Sequence, residues 1–443
     1  MNQLKIETFI KYIFPLLIFF IFCVNLFNYE IKFQHDATMH HNYIYNILTL
    51  NFSKIDVSYG IFYYILVSFI GFLISPLYFF DVIDPRIIFY LAIRITNIIL
   101  FISFFLLIKN LSAKIFGKKN LYYYYLPYII FSFGFINKTF FMARPENIML
   151  PLSVVLITIL WKSYKKSSID NKSTIIFIFS GIILGSQKIS GYLFLIICFL
   201  FLIFFLKNTK KVLQLILITF FSIFFYYWIH FLITDIPFYE RPYGIDDSLL
   251  VGFENLKDNF KDLNLNPYSI FFNFSVTEAW KVPLRDNHWT SMINILLLDI
   301  YGDYWNYGTF NYIREPNLSN LCLISINRFS LILGSIYFIV VLFSIFYLFV
   351  QISYYLELYK KNIFFNIFIC SIFLGSFLIF FFGALNELEF QKSGIFKFEY
   401  ISFFFIYSAI LVLTFIKDNI KINKIILNLF LMFAYFQILP IRC

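Results

Sequence analysis

The chain has 443 residues, of which 60% are hydrophobic and 14% are charged, and its mean hydropathy is +0.78. Soluble domains average about 25% charged residues, so this composition excludes an ordinary soluble protein. The net charge of +10 would indicate nucleic-acid binding in a soluble protein. Here, however, the lysines fall in short loops between apolar runs, which is typical of membrane orientation and argues against a nucleic-acid partner.

Runs of about 20 apolar residues recur along the chain and predict an all-α polytopic membrane protein. Lys5 and Lys11 precede the first run, so the N-terminus is predicted to be inside. The apolar run 59–80 is interrupted by glycines and a proline, and it is predicted to lie in the interface or to dip in and return. With that segment not spanning, the eleven predicted crossings are 9–27, 86–108, 120–140, 147–161, 174–187, 189–206, 212–233, 323–350, 363–384, 398–416 and 425–440.

Loop lysines decide between this topology and its opposite. The five loops predicted to be inside hold sixteen lysines and three acidic residues. If 59–80 crossed the membrane, all of these lysines would move outside. Because a lysine near an anionic leaflet is stabilised by about 1 kcal/mol, the opposite orientation is disfavoured.

Residues 235–322 form one long segment between crossings, which is predicted to be an outer loop. It holds twelve acidic and six basic residues, so its net charge of −6 contrasts with the basic inner loops. Within it, 289–301 is predicted to be an interfacial helix. The sequence thus divides into an N-terminal transmembrane catalytic module (1–234) with a first outer loop (28–85) carrying interfacial helices, the long outer loop, and a C-terminal transmembrane bundle (323–443).

The first outer loop contains the stretch Phe33–His41, which holds three of the five histidines beside a single aspartate, Asp36. Asp36 is predicted to do chemistry at the membrane surface, where a carboxylate can act as general base on an acceptor hydroxyl. His35, His40 and His41 could supply metal ligands, but no HExxH-like spacing is present. They are interpreted as a solvated, partly hydrogen-bonded cluster; no metal or other cofactor is predicted, and a divalent metal stays open as the alternative.

Two further turns on the same predicted face carry charge. Arg144-Pro145-Glu146 places a cation and a carboxylate in one short turn, and Gln187-Lys188 interrupts a nearly continuous apolar stretch. A lysine in such a setting needs an anionic partner or water. A phosphate-binding group with a carboxylate is what a lipid-phosphate transferase requires, since Lys or Arg stabilises the departing phosphate.

In order and spacing, these motifs resemble the GT-C glycosyltransferases, polytopic enzymes that use polyprenyl-phosphate-linked sugars. The nearest group is that of the protein mannosyltransferases and aminoarabinose transferases. Gln34-His35-Asp36-Ala37 is similar to the family's aspartate motif after the first crossing, although Ala37 stands where the family usually has a second acid. The matching motifs that follow are Tyr59–Tyr64, Leu91–Ile95 with its arginine, Arg144–Asn147 and Ser186–Gly191.

The resemblance covers residues 10–210 and is looser beyond 235, where Gly302–Trp305 and Lys392–Tyr400 are similar to motifs of some members. It implies catalytic roles for Asp36 as the base and for Glu146 near the donor or acceptor sugar. The residues that it implies for binding the donor phosphate are Arg144, Lys188, Lys392 and Lys397. The possible substrate contacts are His35, His40, Tyr59, Asp303 and Trp305.

The predicted function is transfer of a sugar from a polyprenyl-phosphate carrier to a lipid, glycan or protein. The reaction is expected on the outer face of a membrane, taken by default as the bacterial inner membrane, with the carrier and membrane lipids as partners. A lipid or glycan transporter or flippase is the rival prediction, but it would be expected to show repeated halves and polar residues deep in several crossings. A glycan polymerase or ligase, which shares the carrier lipid and the long outer loop, is a third.

Cysteine labelling at position 70 tests the topology. In an Ile70→Cys variant from which the five native cysteines have been removed, we expect an impermeant thiol reagent to react from the outer face only. The reason is that 59–80 is predicted not to cross the membrane. Labelling from the inner face would contradict the argument from loop lysines.

Overall fold

The computed structural model describes residues 8–28, 37–51, 60–76, 85–187, 189–206, 208–234, 275–283, 292–302, 321–355, 402–419 and 424–436. Within these ranges all regular secondary structure is helical. After a π-helical turn at Phe9–Ile13, the helices are α1 (Phe14–Asn28), α2 (Ala37–Leu48), α3 (Phe62–Ile74), α4 (Pro85–Phe116), α5 (Tyr122–Ser132), α6 (Gly134–Phe141), α7 (Glu146–Lys166), α8 (Asn171–Gln187), α9 (Ile189–Phe205), α10 (Thr209–Thr234), α11 (Val276–Lys281), α12 (Met292–Asp299), α13 (Leu321–Tyr355), α14 (Ser402–Asn419) and α15 (Lys424–Phe436).

The predicted class, an all-helical membrane protein, is confirmed over these residues. The helices long and apolar enough to cross a membrane are Ile87–Phe116, Glu146–Lys166, Thr209–Ile233 and Leu323–Tyr347. Shorter apolar helices cover Lys11–Phe27, Phe62–Ile74, Phe194–Ile203 and Ile406–Lys417. The predicted count of eleven crossings is not confirmed, and the predicted crossing 363–384 lies outside the described residues.

The predicted crossing 120–140 is not one continuous helix. α5 ends at Ser132, and Phe133 adopts an extended backbone (φ −71°, ψ 122°) before α6 begins at Gly134. The N–H of Gly134 donates to the carbonyl oxygen of Ile300 at 2.9 Å. A Cβ added to Gly134 would lie 3.1 Å from the carbonyl oxygen of Gly302, so the break lets two backbone segments meet closely. Hydropathy does not register such a long-range contact, which is why the sequence predicted one helix.

The helices belong to two compact units whose segments interleave along the chain. The first comprises Met1–Glu30, Ser112–Thr139 and Phe253–Cys443, and the second comprises Ile31–Leu111 and Phe140–Gly252. The predicted boundaries of the long outer loop adjoin 235–274 and 303–320, which lie outside the described residues, and they stay predictions.

Residues 300–302 are buried in the first unit. Tyr301 is 1% exposed, and its N–H donates to the Ser330 hydroxyl at 3.1 Å. Lys138, which is also buried, donates from Nζ to the carbonyl oxygen of Gly302 at 2.5 Å. A Cβ added to Gly302 would lie 2.3 Å from the carbonyl oxygen of Leu298, so this position requires glycine.

In the second unit, a polar turn joins α7 to α8. Lys162 forms an ion pair with Asp170, and Asp170 Oδ1 accepts a hydrogen bond from the N–H of Ser173 at 2.7 Å. Asp170 therefore caps α8, and the hydrogen bond from Lys162 holds the pKa of this carboxyl below its usual range. Lys211, near the start of α10, donates to the carbonyl oxygen of Ile169 at 2.8 Å. The lysine-bearing ends of α7, α8 and α10 therefore lie together.

The opposite ends of α8 and α10 meet the start of α3. The N–H of Gly60 donates to the carbonyl oxygen of Gln187 at 2.9 Å, and the N–H of Ile61 donates to the Tyr226 hydroxyl at 3.2 Å. Amides at a helix start have no acceptor within their own helix, so these contacts satisfy them. A Cβ added to Gly60 would lie 2.4 Å from both the Cα of Gln187 and the carbonyl oxygen of Ser186.

We expect Gly60→Ala to lower the free energy of unfolding by about 1–3 kcal/mol, because the added methyl group would overlap backbone atoms of α8. Gly71→Ala is the matched control in α3. Its Cβ would meet nothing closer than 3.6 Å, and alanine in place of a helical glycine stabilises by up to about 1 kcal/mol. Thermal unfolding of the detergent-solubilised variants measures both changes. A melting temperature for Gly60→Ala equal to that of the wild type would contradict the close contact.

Candidate functional site

The turn Arg144-Pro145-Glu146 lies between α6 and α7 and is buried. Arg144 is 5% exposed and Glu146 is 3% exposed. Ionisable residues removed from solvent in a membrane protein mark a functional site by default, because their burial is costly. Glu146 is the first residue of α7, where the positive end of the helix dipole favours a carboxylate.

A hydrogen-bond network holds this turn. Asn97 Oδ1 accepts from the Tyr63 hydroxyl at 2.9 Å and from Asn147 Nδ2 at 2.9 Å. Asn97 Nδ2 and Asn147 Nδ2 both donate to the carbonyl oxygen of Met142, at 2.9 and 2.8 Å. The Tyr63 hydroxyl also lies within hydrogen-bonding reach of the Arg144 backbone. The network therefore fixes the start of α7 to α3 and α4.

α2 places two of the histidines from the first outer loop. His40 is 2% exposed, and its Nδ1 lies 2.6 Å from the hydroxyl of Tyr64, whose ring stacks on Tyr43 with centroids 4.5 Å apart. His40 is therefore a buried residue that holds Tyr64, and the predicted solvated cluster is wrong for this histidine. His41 packs edge-on against Tyr90 at 5.5 Å, and burial lowers its pKa.

Gln187 is the last residue of α8 and is 1% exposed. Neither Oε1 nor Nε2 of its amide has a hydrogen-bond partner among the described residues. Gly60 packs directly against this amide, since a Cβ added at that position would lie 2.4 Å from Nε2. Lys188, the next residue in the chain, lies outside the described residues.

We call Glu146, Gln187 and Tyr226 the polar cluster. Each of them lies at a similar distance from the lysine-bearing end of its own helix. On α7, Glu146 is sixteen positions from Lys162. On α8 and α10, Gln187 and Tyr226 are each fifteen positions from a lysine. At 1.5 Å per residue these separations are all about 22–24 Å. These separations are shorter than a hydrocarbon core about 30 Å thick, and a lysine that extends its head group past the apolar region makes up part of the difference.

Only part of the predicted site falls within the described residues. Glu146 among the catalytic residues, Arg144 among the donor-binding residues and His40 among the substrate contacts are described, and all three belong to the second unit. Arg94 lies on α4, one helical turn before Asn97. The predicted residues outside the described ranges are His35, Asp36, Tyr59, Lys188, Asp303, Trp305, Lys392 and Lys397. Their roles stay predictions.

Three residues of the network have no role that the sequence predicts. Asn97 lies within an apolar crossing, and that position was itself a signal, because a polar side chain in a membrane helix needs a partner. Tyr63 lies in the motif Tyr59–Tyr64, but nothing in the sequence distinguishes it from the other tyrosines of that motif. Asn147 stood beside the charged turn, but nothing in the sequence paired it with Asn97.

Comparisons with known proteins leave the site to be interpreted from its own residues. The chain matches no protein-family model, no curated protein and no solved structure. Within the part of the chain that the structure describes, no three His, Cys, Asp or Glu side chains group so that they could hold a metal ion.

We expect Asn97→Leu to destabilise the protein by about 1–3 kcal/mol for each partner left unsatisfied, because the Tyr63 hydroxyl and the Asn147 amide lose a buried acceptor. Tyr63→Phe removes only one donor and should cost about 1 kcal/mol. The double variant should lose less than the sum of the two single changes, since the residues share one network. Denaturant unfolding measures the three values. Strict additivity would show that the network is not formed.

Proposed function

We propose that the protein is an integral-membrane glycosyltransferase of the GT-C type. It moves a sugar from a polyprenyl-phosphate carrier to a hydroxyl group of a lipid, glycan or protein acceptor. The observation that supports this most is the burial of Arg144 and Glu146 in one turn, held by a network of neutral polar side chains. A cation and a carboxylate in one buried turn meet two demands of the reaction, which are to bind a phosphate and to interact with hydroxyl groups.

In the proposed reaction, the acceptor oxygen attacks the anomeric carbon of the carrier-linked sugar. The bond between that carbon and the phosphate oxygen breaks, and the polyprenyl phosphate leaves with the bonding electron pair. The Asp36 carboxylate takes the proton of the acceptor hydroxyl. Arg144 neutralises the charge that develops on the departing phosphate, together with Lys188. Glu146 accepts a hydrogen bond from the donor or acceptor sugar.

The finer topology belongs to the same proposal: eleven crossings, 59–80 in the interface, and a reaction on the outer face of the bacterial inner membrane. The length of α3 supports it, because 13 residues span about 20 Å, which is less than a hydrocarbon core. The position of the polar cluster supports it as well. The cluster lies about 22–24 Å from helix ends that carry lysines, and lysines favour the inner face.

Substitution of the two acids tests the mechanism. Asp36→Asn keeps the side-chain volume and removes the base, so we expect the transfer rate to fall at least about 100-fold. Glu146→Gln should lower the rate about tenfold or more, because an amide is a weaker acceptor than a carboxylate. The measurement is transfer of radiolabelled sugar from the polyprenyl-phosphate carrier into lipid, glycan and protein fractions.

Glu278→Gln is the matched control, because Glu278 also lies in the first turn of a helix but is exposed. It should keep the wild-type rate. Full activity in Asp36→Asn would show that this mechanism is wrong. Sugar transfer from a polyprenyl-diphosphate glycan, and not from the monophosphate carrier, would instead identify a polymerase or ligase.

A further inference from the structure

Gln187 carries two buried hydrogen-bonding groups that no described residue engages. The residue is 1% exposed, and neither amide atom has a partner among the described residues. Buried polar groups are nearly always hydrogen-bonded, and an unsatisfied amide destabilises a fold. A ligand that supplies both a donor and an acceptor would satisfy both hydrogen-bonding groups of this amide. Gly60 packs directly against Nε2, since a Cβ there would lie 2.4 Å away.

A second amide beside the start of α3 has unused capacity too. Asn147 is 0% exposed, and its Nδ2 is engaged in the network with Asn97. Its Oδ1 has no partner within the described ranges. Gln187 contacts Gly60, two residues before α3, and Asn147 contacts Tyr63, the second residue of α3. The two amides therefore lie beside the start of the same helix.

The chemistry of a carboxamide points to a neutral ligand that both donates and accepts. Sugar hydroxyls have this property. Two hydroxyls on adjacent ring carbons can accept from Nε2 and donate to Oε1 at the same time. An anionic ligand group would instead favour a cation, such as the neighbouring Lys188. In the donor the sugar and the phosphate are covalently joined, so consecutive residues can bind the two parts.

We propose that Gln187, assisted by the Asn147 oxygen, binds adjacent hydroxyl groups of the transferred sugar. This inference rests on the proposed function and defines its substrate class as a sugar with an unmodified pair of neighbouring hydroxyls. Gln187 determines specificity and takes no part in bond breaking.

Gln187→Met tests the inference, because methionine keeps the length of the side chain and removes both hydrogen-bonding groups. In the ligand-free, detergent-solubilised full chain, we expect a melting temperature that is unchanged or higher, since an unsatisfied amide is removed. Polyprenyl phosphate without a sugar should bind wild type and variant equally. Polyprenyl-phosphate hexose should bind the wild type more tightly than the bare carrier does. The variant should lose this extra affinity for the sugar-bearing carrier, so its Kd for that carrier should rise about tenfold, the value expected for a pair of hydrogen bonds.

Thr158→Val is the matched control. Thr158 Oγ1 is also buried without a partner among the described residues, but it lies about 18 Å along α7 from Glu146. This variant should leave both affinities unchanged. Two results for Gln187→Met would overturn the inference. One is a melting temperature below that of the wild type in the absence of ligand, and the other is a gain in affinity from the sugar equal to that of the wild type. Failure of the wild type to bind the bare carrier would overturn the proposed function, and this inference with it.

Discussion

The start of α3, taken with the two residues before it, is the contact on which the second unit depends. Four of its residues reach four different helices: Gly60 bonds to α8, Ile61 to α10, Tyr63 to α4 and Tyr64 to α2. The backbone amides of a helix start must find acceptors, and their own helix supplies none. The neighbouring helices supply them instead, and this requires close approach of two backbones. Glycine at position 60 is the only residue type that allows that approach.

The charged turn follows from the same packing. Tyr63 connects α3 to Asn97 and Asn147, and this network fixes the residues on either side of Arg144. Burying charge contributes little stability by itself, because the loss of hydration offsets the attraction between opposite charges. Buried charges and an unsatisfied amide in one region are therefore better explained by binding and chemistry than by folding. Local rules of stability are broken most often at functional sites.

The sequence predicted the elements better than their contacts. Apolar runs separated by lysine-rich loops gave an all-helical membrane protein, and helices occupy most of the predicted crossings that the structure describes. The charged turn also stands out in the sequence, because Arg144 and Glu146 interrupt apolar surroundings. The sequence does not predict the break at Phe133, since its cause is the docking of residues 300–302, more than 160 positions away. It predicts a solvated His40, because the buried partner of this histidine, Tyr64, lies 24 positions further along the chain.

Composition and charge pattern by themselves determined that this is a membrane protein, that it is helical, and which orientation is predicted for it. These properties are sums over local residues, and each apolar run or lysine contributes independently. Only the tertiary structure decided which polar residues share one site. Asn97, Asn147 and Tyr63 are ordinary residues until three helices bring their side chains within hydrogen-bonding distance. Gln187 is likewise one amide among many until packing against Gly60 removes it from solvent and leaves its two polar atoms without a protein partner in the described structure.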